Sequence, residues 1–392
     1  MNLLMIGGTG CLSTAVTAEA LRKGINVTMM NRGNRKIPDG VELLKCDFKD
    51  SKVVDRLLEG RRFDAVIDFI SYTERDLVYS YRTLCRHVDQ YVFISSCAVY
   101  GPRVDDKTGP RTEEEPRGNI NWWYSLGKYA CETVLEDLFK VHGCQYTIVR
   151  PAVTYGDTRI PYGIVPPYGM HWTLIGRALA GKPIITWNNA ENGGNMMHVD
   201  DFAVGLLGLI GNKAAYGEAF NICGDERPTY NDVLSAISEA IGKNVLTIDI
   251  DRDFYGSELG DEKGQELRNS RSGRGNCSNE KIKKYVPEFK CSISINAGIK
   301  RTIEAYKNQN YQNGIDWAFD ANTDRIILKW CKFKGIDPKP FNIRFVDYLG
   351  SATFRDKYTY WSIVHSGEKA CRIFRFALRT LRCLKQAIIA II

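Results

Sequence analysis

The sequence predicts an α/β protein whose main domain is a doubly wound parallel sheet, followed by a smaller α/β lobe and a basic helical tail. A short apolar run at the start leads directly into Gly7-Gly8-Thr9-Gly10, which is typical of a strand that turns into a helix. Apolar strands and amphipathic helices then alternate as far as about residue 150. Such alternation builds parallel sheets with right-handed crossovers. Beyond Arg150-Pro151 the pattern loosens into a Pro- and Gly-rich stretch, which predicts a second unit.

The first 150 residues are expected to form five strands separated by helices. Apolar runs predict strands at 2–6, 25–30, 65–70, 91–95 and 146–149. Helical spacing of apolar residues predicts helices at 11–23, 51–59, 74–86 and 122–141, and Gly24 closes the first of them. Ligands of such sheets bind beyond the carboxyl ends of the strands, where Gly7, Asn31, Phe69 and Ser96 all stand.

The residues after 150 predict a substrate lobe and an extension. Helices are expected near 172–180, 202–210, 228–241 and 297–306, with a strand near 184–186. Residues 254–276 are polar and rich in glycine, which predicts a mobile loop. We therefore expect a dinucleotide-binding domain at 1–150 to which later segments return, a substrate-binding lobe at 151–310 and a C-terminal extension at 311–392.

Composition narrows the class of protein. Hydrophobic residues make up 44% of the chain and charged residues 25%, which is ordinary for a soluble protein. The N-terminus lacks the basic region and cleavage site of a signal peptide, and no apolar stretch approaches the ~20 residues of a membrane span, so a cytoplasmic protein is expected. Twelve cysteines without a Cys-x-x-Cys pair predict reduced thiols, and five dispersed histidines predict no metal site.

The positive charge of the chain is concentrated in its tail. Residues 321–392 hold fourteen Lys or Arg and five Asp or Glu, so the rest of the chain is close to neutral. As a helix, residues 368–392 would carry Arg372, Arg375, Arg379, Arg382 and Lys385 on one stripe and an apolar face rich in isoleucine. Such a helix fits the surface of an anionic membrane, and it equally fits a helix docked on the enzyme or on a second subunit. Nucleic-acid binding is disfavoured because no aromatic platform accompanies the cations.

The first glycine turn predicts a dinucleotide site. Gly7 and Gly10, with Ser13 in the third small position, let a helix N-terminus meet a pyrophosphate, and the backbone of Thr9, Cys11 and Leu12 would surround it. The second strand ends in Asn31-Arg32-Gly33-Asn34-Arg35-Lys36. NAD-specific proteins carry at this point an acidic residue that binds the ribose hydroxyls, and this run has none. Arg32 could instead pair with a 2′-phosphate, so NADP is favoured over NAD. The alternative is a solvated basic loop.

Tyr124 and Lys128 are candidate catalytic residues. They are four residues apart and would lie on one face of a helix, where the ammonium can favour the phenolate. Ser96, at the end of a neighbouring strand, could hold a substrate oxygen while the phenolate takes its proton. The combination indicates oxidation and reduction of a carbinol with a nicotinamide. The alternative is a purely structural interpretation, in which Tyr124 and Lys128 lie on an ordinary amphipathic helix without a catalytic role.

From residue 1 to about 310, these motifs resemble an extended short-chain dehydrogenase/reductase of the NAD-dependent nucleotide-sugar epimerase and dehydratase group, which implies a Rossmann sheet. The resemblance implies that Tyr124 is the acid/base, that Lys128 binds the nicotinamide ribose and lowers the pKa of the tyrosine, and that Ser96 holds the substrate. It also implies a cofactor-binding set beyond the glycine turn. That set is Asn31, Arg32, Asp47, Phe48, Phe69, Ile70, Ser95, Tyr124, Lys128, Pro151 and Val153.

The substrate side is expected to involve later residues. By the resemblance, Thr154 stands near the sugar together with Ser96, and His198 orders the lobe more than it catalyses. Arg274, like Arg268 and Arg271, could clamp a diphosphate because a guanidinium fork suits phosphate oxygens. A solvated arginine loop is the alternative.

One departure from the family narrows the expected chemistry. The 4,6-dehydratases of this group carry an Asp-Glu pair directly after the catalytic Ser or Thr, and this chain has Cys97-Ala98 there. Dehydration is therefore disfavoured. We expect a nucleotide-sugar epimerase or keto-sugar reductase that acts in surface-polysaccharide synthesis. A homodimer and a contact with the inner membrane face are further expectations. The alternative is a non-catalytic relative that binds RNA or protein.

Overall fold

A computed structural model describes residues 1–101, 109–119, 121–309 and 314–365. Its centre is a sheet of seven parallel strands in the order β11-β6-β5-β4-β1-β2-β3. These strands are β1 Asn2–Ile6, β2 Asn26–Asn31, β3 Glu42–Lys45, β4 Phe63–Asp68, β5 Val88–Ile94, β6 Gln145–Pro151 and β11 Glu218–Ile222. The order reverses between β1 and β4, so the switch point of the sheet lies beside the first glycine turn.

Helices cover both faces of this sheet. They are α1 Cys11–Arg22, α2 Ser51–Leu58, α3 Glu74–Leu84, α4 Trp123–His142, α6 Val199–Gly208 and α10 Glu280–Tyr285. Successive residues of β1 point to opposite faces, as strand geometry requires. Leu3 and Met5 enter the core under α1 and α6, whereas Leu4 and Ile6 enter the core under α2, α3 and α4. Two apolar cores therefore fix the sheet, and its carboxyl edge is left open.

The second unit packs around its own apolar core, which includes Trp172 and Trp187. Three short parallel pairs stiffen it, β7 Val153–Tyr155 with β10 Met196–His198, β8 Ile184–Thr186 with β12 Thr247–Asp249, and β9 Gly193–Gly194 with β13 Arg274–Gly275. Its helices are α5 Trp172–Leu179, α7 Tyr230–Ile241, α8 Arg252–Leu259, α9 Asp261–Glu266, α11 Ile295–Asn308 and α12 Trp317–Lys334. Thr229 and Asp232 cap α7 reciprocally, which explains its sharp start.

The structure departs from the sequence expectations in three elements. The strands β3 and β11 were not expected, because each is short and carries a glutamate at its start. The expectation of a loop over 254–276 is wrong at its beginning, where α8 and α9 form. Asp251 caps α8 by accepting hydrogen bonds from the backbone N–H groups of Asp253 and Phe254, and Tyr255 is buried in the lobe core. Burial of one aromatic side chain thus overrides a polar composition.

Part of the expected extension belongs to the lobe core. Ile326, Ile327 and Trp330 of α12 are buried there together with residues of α5 and α11. The amphipathic helix expected at 368–392 lies outside the described residues. Among the residues that are described, no helix combines the length and hydropathy needed to cross a membrane.

Candidate active site

A cavity of about 630 Å³ opens at the carboxyl edge of the parallel sheet, between the sheet and the lobe. Its volume lies within the usual range for small-molecule sites. The expected residues that line it are Leu12, Phe69, Ser95, Ser96, Tyr124, Lys128, Pro151, Val153, Thr154 and Arg274. The cavity is therefore shared between the carboxyl edge of the parallel sheet and the lobe.

Tyr124 and Ser96 meet in this cavity. Ser96 follows β5 and accepts a hydrogen bond from the backbone N–H of Ala98 at 3.1 Å, which leaves its own O–H free to donate. Burial, followed by the nearby Tyr72, raises the pKa of Tyr124 to about 12, although a hydrogen bond with Ser96 and the charge of Arg159 lower it in part. Without a ligand, the phenol is thus protonated at neutral pH.

Lys128 is buried beneath Tyr124 on the same helix. Its Nζ donates to the backbone carbonyls of Ser71 at 2.7 Å and Ile94 at 2.8 Å, and it lies 4.3 Å from the centre of the Tyr72 ring. Burial lowers the pKa of Lys128 to about 8. An ammonium has three donors, so one remains for a ligand hydroxyl. The groups that most lower the pKa of Tyr124 are Ser96, Arg159 and Arg271, and the expected effect of Lys128 is not among them.

A buried ion pair supports the strand end that carries Ser96. The Ser95 hydroxyl donates to Glu132 Oε1 at 2.5 Å. Glu132 in turn receives Arg150 at 2.8 Å and Arg117 at 2.7 Å. The side chain of Ser95 is therefore bound to Glu132 of α4, and Ser95 contributes its backbone to the cavity lining.

The first turn of the sheet fits a dinucleotide pyrophosphate. Gly7 and Gly8 have φ of +99° and +81°, and a Cβ at Gly7 would lie 2.8 Å from Ile70 Cγ2. Gly10 is the N-cap of α1 and has no side chain to cover the free N–H groups of the first turn. Glycine is thus required for the backbone to form this cradle, and its N–H groups and helix dipole suit an anion.

The basic loop after β2 stands next to this cradle. Asn31 donates from Nδ2 to the carbonyl of Gly7 at 2.8 Å and so ties β2 to the glycine turn. Arg32 is exposed to solvent. Arg35 donates to the carbonyl of Thr9 at 2.5 Å and its guanidinium lies 4.9 Å from the centre of the Tyr168 ring. Arg35 therefore bridges the basic loop and the lobe across a groove beside the glycine turn.

The remaining expected cofactor residues differ in how accessible their side chains are. Cys11 is at the start of α1, where burial raises its pKa, so it is present as a thiol. Asp47 is exposed and accepts the backbone N–H of Lys49 at 3.0 Å. Phe48 is buried in the sheet core against Tyr79, so its side chain faces away from the groove.

Arginines dominate the lobe side of the cavity. Arg271 pairs with Glu266 at 3.0 Å, and Arg274 donates to the carbonyl of Arg227 at 2.8 Å. Arg159 and Arg268 also line the cavity, and within the described part of the chain neither guanidinium forms an ion pair. Two cations therefore remain for an anionic ligand. Arg159 also acts on the pKa of Tyr124, a proximity that its sequence position did not reveal.

His198 is buried at the start of α6, outside the lining of this cavity. Its Nδ1 accepts the backbone N–H of Asp200 at 3.2 Å, and its ring meets that of Tyr155 edge to face. Burial lowers the pKa of His198, so the ring is neutral. These contacts are those of a helix cap.

Sequence reasoning missed Glu132, Asp68 and Arg159. Asp68 is fully buried, accepts the Ser71 hydroxyl at 2.6 Å and thereby shapes the loop that contacts Lys128. A signal for Glu132 existed, because it is four residues after Lys128 on the same helix face. Arg159 had no such signal, since it lies in an irregular stretch whose position the lobe determines.

Comparison with known proteins identifies the family. The chain belongs to the NAD dependent epimerase/dehydratase family, whose model matches residues 3–223. The expected family and the expected parallel α/β fold are therefore confirmed. The family takes its name from NAD-dependent epimerases and dehydratases.

Three relatives show how wide this class is. The chain is 27% identical over 259 residues to the chloroplast stem-loop binding protein of 41 kDa b of Arabidopsis thaliana, over 62% of this chain and 63% of that protein. It thus spans less than two thirds of that relative's length. It is 21% identical to the 2'-dehydrokanamycin reductase of Streptomyces kanamyceticus, over 67% of this chain and 72% of the reductase. It is 23% identical to a dTDP-glucose 4,6-dehydratase of Xanthomonas campestris, over 60% of this chain and 74% of the dehydratase.

Solved structures share the fold. A UDP-glucose 4-epimerase of Thermotoga maritima with UDP-glucose superposes with a TM-score of 0.64 at 20% identity, over 79% of this chain and 99% of the epimerase. A UDP-glucuronic acid 4-epimerase of Bacillus cereus in complex with NAD gives 0.61 at 16% identity, over 79% of this chain and 99% of that enzyme. About a fifth of this chain therefore has no counterpart in either.

Proposed function

We propose that this chain is a nucleotide-sugar epimerase or keto-sugar reductase that uses NAD or NADP at one carbinol of the sugar. The observation that supports this most directly is the meeting of Ser96, Tyr124 and Lys128 in one cavity at the carboxyl edge of the sheet. A glycine cradle suited to a pyrophosphate lies at the same edge. A binding module has no need of all these groups together.

Each of the three residues has a separate task in this proposal. The Ser96 hydroxyl holds the carbinol oxygen, and Tyr124 takes its proton and later returns it. Lys128 offers its third N–H to the nicotinamide ribose. When bound, the nicotinamide supplies the acceptance and return of a hydride. The free guanidinium groups of Arg159 and Arg268, with Arg274, would hold the diphosphate of the sugar nucleotide.

Dehydration is not part of this proposal, although dehydratases are among the relatives. The residue after Ser96 is Cys97, whose thiol donates to the carbonyl of Arg150 at 3.1 Å. Contact with Cys277 and burial raise the pKa of Cys97 well above its usual value. A protonated thiol and the methyl group of Ala98 cannot replace the Asp-Glu pair that eliminates water.

For the cofactor we propose NADP before NAD. Support comes from Arg32, whose exposed guanidinium stands at the end of β2 where NAD-specific proteins carry an acid. Arg35 is close by at the groove. A 2′-phosphate would give both cations a partner, which neither ribose hydroxyl of NAD provides.

We further propose a cytoplasmic protein, with a place in surface-polysaccharide synthesis and either a homodimer or a membrane contact through residues 368–392. The basic, isoleucine-rich sequence of this segment supports the last point. The full chain should then sediment with anionic vesicles, less so in high salt, and deletion of 368–392 should abolish sedimentation without affecting catalysis. Loss of solubility on deletion, with no lipid binding by the full chain, would identify a packing helix instead.

A second candidate function is binding of an RNA stem-loop, which the name of one relative suggests. It requires neither Tyr124 nor Lys128. An electrophoretic shift of structured RNA that survives substitution of both residues would favour it over catalysis.

Mass spectrometry of small molecules that co-purify with the protein tests the proposed function directly. We expect a nicotinamide dinucleotide and a sugar nucleotide. If neither co-purifies and neither binds when added, the proposal is wrong.

A further inference from the structure

One wall of the cavity comes from a single segment of the lobe. Residues 252–277, here called the cavity wall, contain α8, α9 and the turn that follows, and they contribute Glu262, Glu266, Arg268, Asn269, Arg271 and Arg274 to the lining. Ser96 and Tyr124 line the same cavity. Whatever fixes the wall therefore fixes one side of this cavity.

The charged side chains of α12 grip the wall at Glu258. Arg325 donates to Glu258 Oε2 at 2.6 Å and to the Glu258 carbonyl at 3.2 Å. Lys329, one turn further along α12, donates to the same carboxylate at 2.9 Å and 3.0 Å. Burial alone would raise the pKa of Glu258, but hydrogen bonds from Lys329 and Arg325 outweigh it and lower the pKa. The carboxylate thus stays charged and doubly paired.

Aromatic side chains extend this contact. The ring of Phe254, on α8, lies 5.0 Å from the ring of Trp330 and is stacked 5.5 Å from that of Phe333. Trp330 is buried, whereas Phe333 is 67% exposed. The exposed Phe333 thus has its aromatic contacts with the wall and with Trp330 of its own helix.

The other end of α12 is anchored deep in the lobe. Arg177 forms ion pairs with Asp320 at 2.6 Å and with Asp324 at 2.9 Å. Lys182 forms ion pairs with Asp320 at 2.9 Å and with Asp324 at 2.5 Å, and all four side chains are fully buried. Charges without water hold their positions because each depends on the others for its hydrogen bonds. The helix therefore joins a rigid ionic cluster to the cavity wall.

We propose that α12 positions the cavity wall, and that Glu258, Arg325 and Lys329 are positioning residues for the sugar-nucleotide site. The inference rests on the proposed function for the identity of the ligand, but the mechanical link between α12 and the wall does not. It gives α12, which lies beyond the expected lobe boundary, a part in shaping the cavity, although the described lining of the cavity contains no residue of α12.

Hydrogen exchange on the full-length protein tests the link without any ligand. Glu258→Gln keeps the shape of the side chain and removes its charge, and Phe333→Ala removes a ring that is 67% exposed and stacks on Phe254. Arg62→Met is the matched control, because it breaks the exposed pair with Asp89 on the far side of the sheet. We expect faster exchange across 252–277 in both test variants than in the parent, and no change in the exchange of this segment in the control. Unchanged exchange there would overturn the proposal.

Binding measurements then test the consequence for the substrate. We expect KM and Kd for the sugar nucleotide to rise about three- to thirtyfold in Glu258→Gln, with kcat and dinucleotide affinity nearly unchanged. Adding Arg325→Met should cause little further loss, because both changes break one contact. Equal losses of dinucleotide and sugar-nucleotide binding would show a merely structural role and overturn the proposal. If the parent protein binds no sugar nucleotide, the proposed function fails, and hydrogen exchange still decides the link.

Discussion

Two residues of the candidate site, Tyr124 and Lys128, have pKa values that burial shifts in opposite directions. Burial raises the pKa of Tyr124 to about 12 and lowers that of Lys128 to about 8. Both shifts oppose charge in a site without a ligand. A bound dinucleotide and substrate would supply the hydrogen bonds that favour the charged forms. If Tyr124 is the acid/base, as we propose, ligand binding would then favour its charged form.

The lowered pKa of Lys128 makes stability depend on pH. Its ordinary value is 10.5, so between about pH 8 and 10.5 the unfolded chain binds more protons than the folded one, and stability rises with pH. Urea unfolding of the ligand-free protein and of Lys128→Met should show the parent gaining about 2 to 3 kcal/mol relative to the variant from pH ~7 to ~10. Parallel curves over this range would mean that the ammonium is not desolvated.

Arg32 is the residue that most directly tests cofactor choice. Arg32→Ala should weaken NADP by about 1.5–3 kcal/mol, the usual value of a hydrogen bond to a charged group, and leave NAD almost unchanged. Titration of both dinucleotides into parent and variant measures this. Equal weakening of the two, or a parent that prefers NAD, would show that the basic loop is solvated surface.

The sequence predicted those site residues whose positions follow from short spacing along one element. It did not predict residues that reach the site only through the tertiary fold. Tyr124 and Lys128 are one helical turn apart, and Ser96 stands just after a strand at the carboxyl edge of a parallel sheet, where ligands bind, so their convergence was predictable. Arg159 lines the cavity from an irregular stretch after β7, and no local pattern encodes its proximity to Tyr124.

At the scale of elements, the site depends on how closely α4 approaches the loop after β4. A Cβ at Gly127 would lie 2.4 Å from the carbonyl oxygen of Tyr72. The absence of a side chain thus lets Lys128 reach the carbonyl of Ser71. The buried central strands and these helices were predictable from apolar periodicity, whereas α8 was not, because its glycine and charges outweigh two aromatic residues in the sequence.

Gly127→Ala should separate α4 from this loop. We expect a loss of about 1–3 kcal/mol in the free energy of unfolding, as for other overpacked sites, and a loss of activity. Leu126→Ala is the control, because its side chain is 43% exposed and the change should cost under ~0.5 kcal/mol. Chemical denaturation of both variants distinguishes them. Equal stability would mean that α4 yields easily at this point.

At the scale of the whole molecule, the chain combines a family sheet with a lobe that its own C-terminal region completes. The ionic cluster of Arg177, Lys182, Asp320 and Asp324 is buried because α12 covers it. Charge composition marked residues 321–392 as distinct, but it could not show that the first helix of this region enters the lobe core. Pairing between distant charges is decided by packing, which a count of charges does not contain.

In the proposed function, Tyr124 exchanges a proton with a sugar carbinol while a nicotinamide takes the hydride of that carbinol. The most direct measurement rapidly mixes stoichiometric protein and oxidised dinucleotide with each of a panel of sugar nucleotides and follows the absorbance of reduced nicotinamide, which in an epimerase forms transiently. We expect one sugar nucleotide to produce this signal in the parent, and Tyr124→Phe to slow it at least ~10²-fold while dinucleotide binding is retained. A signal of equal rate in Tyr124→Phe would show that Tyr124 is not the acid/base.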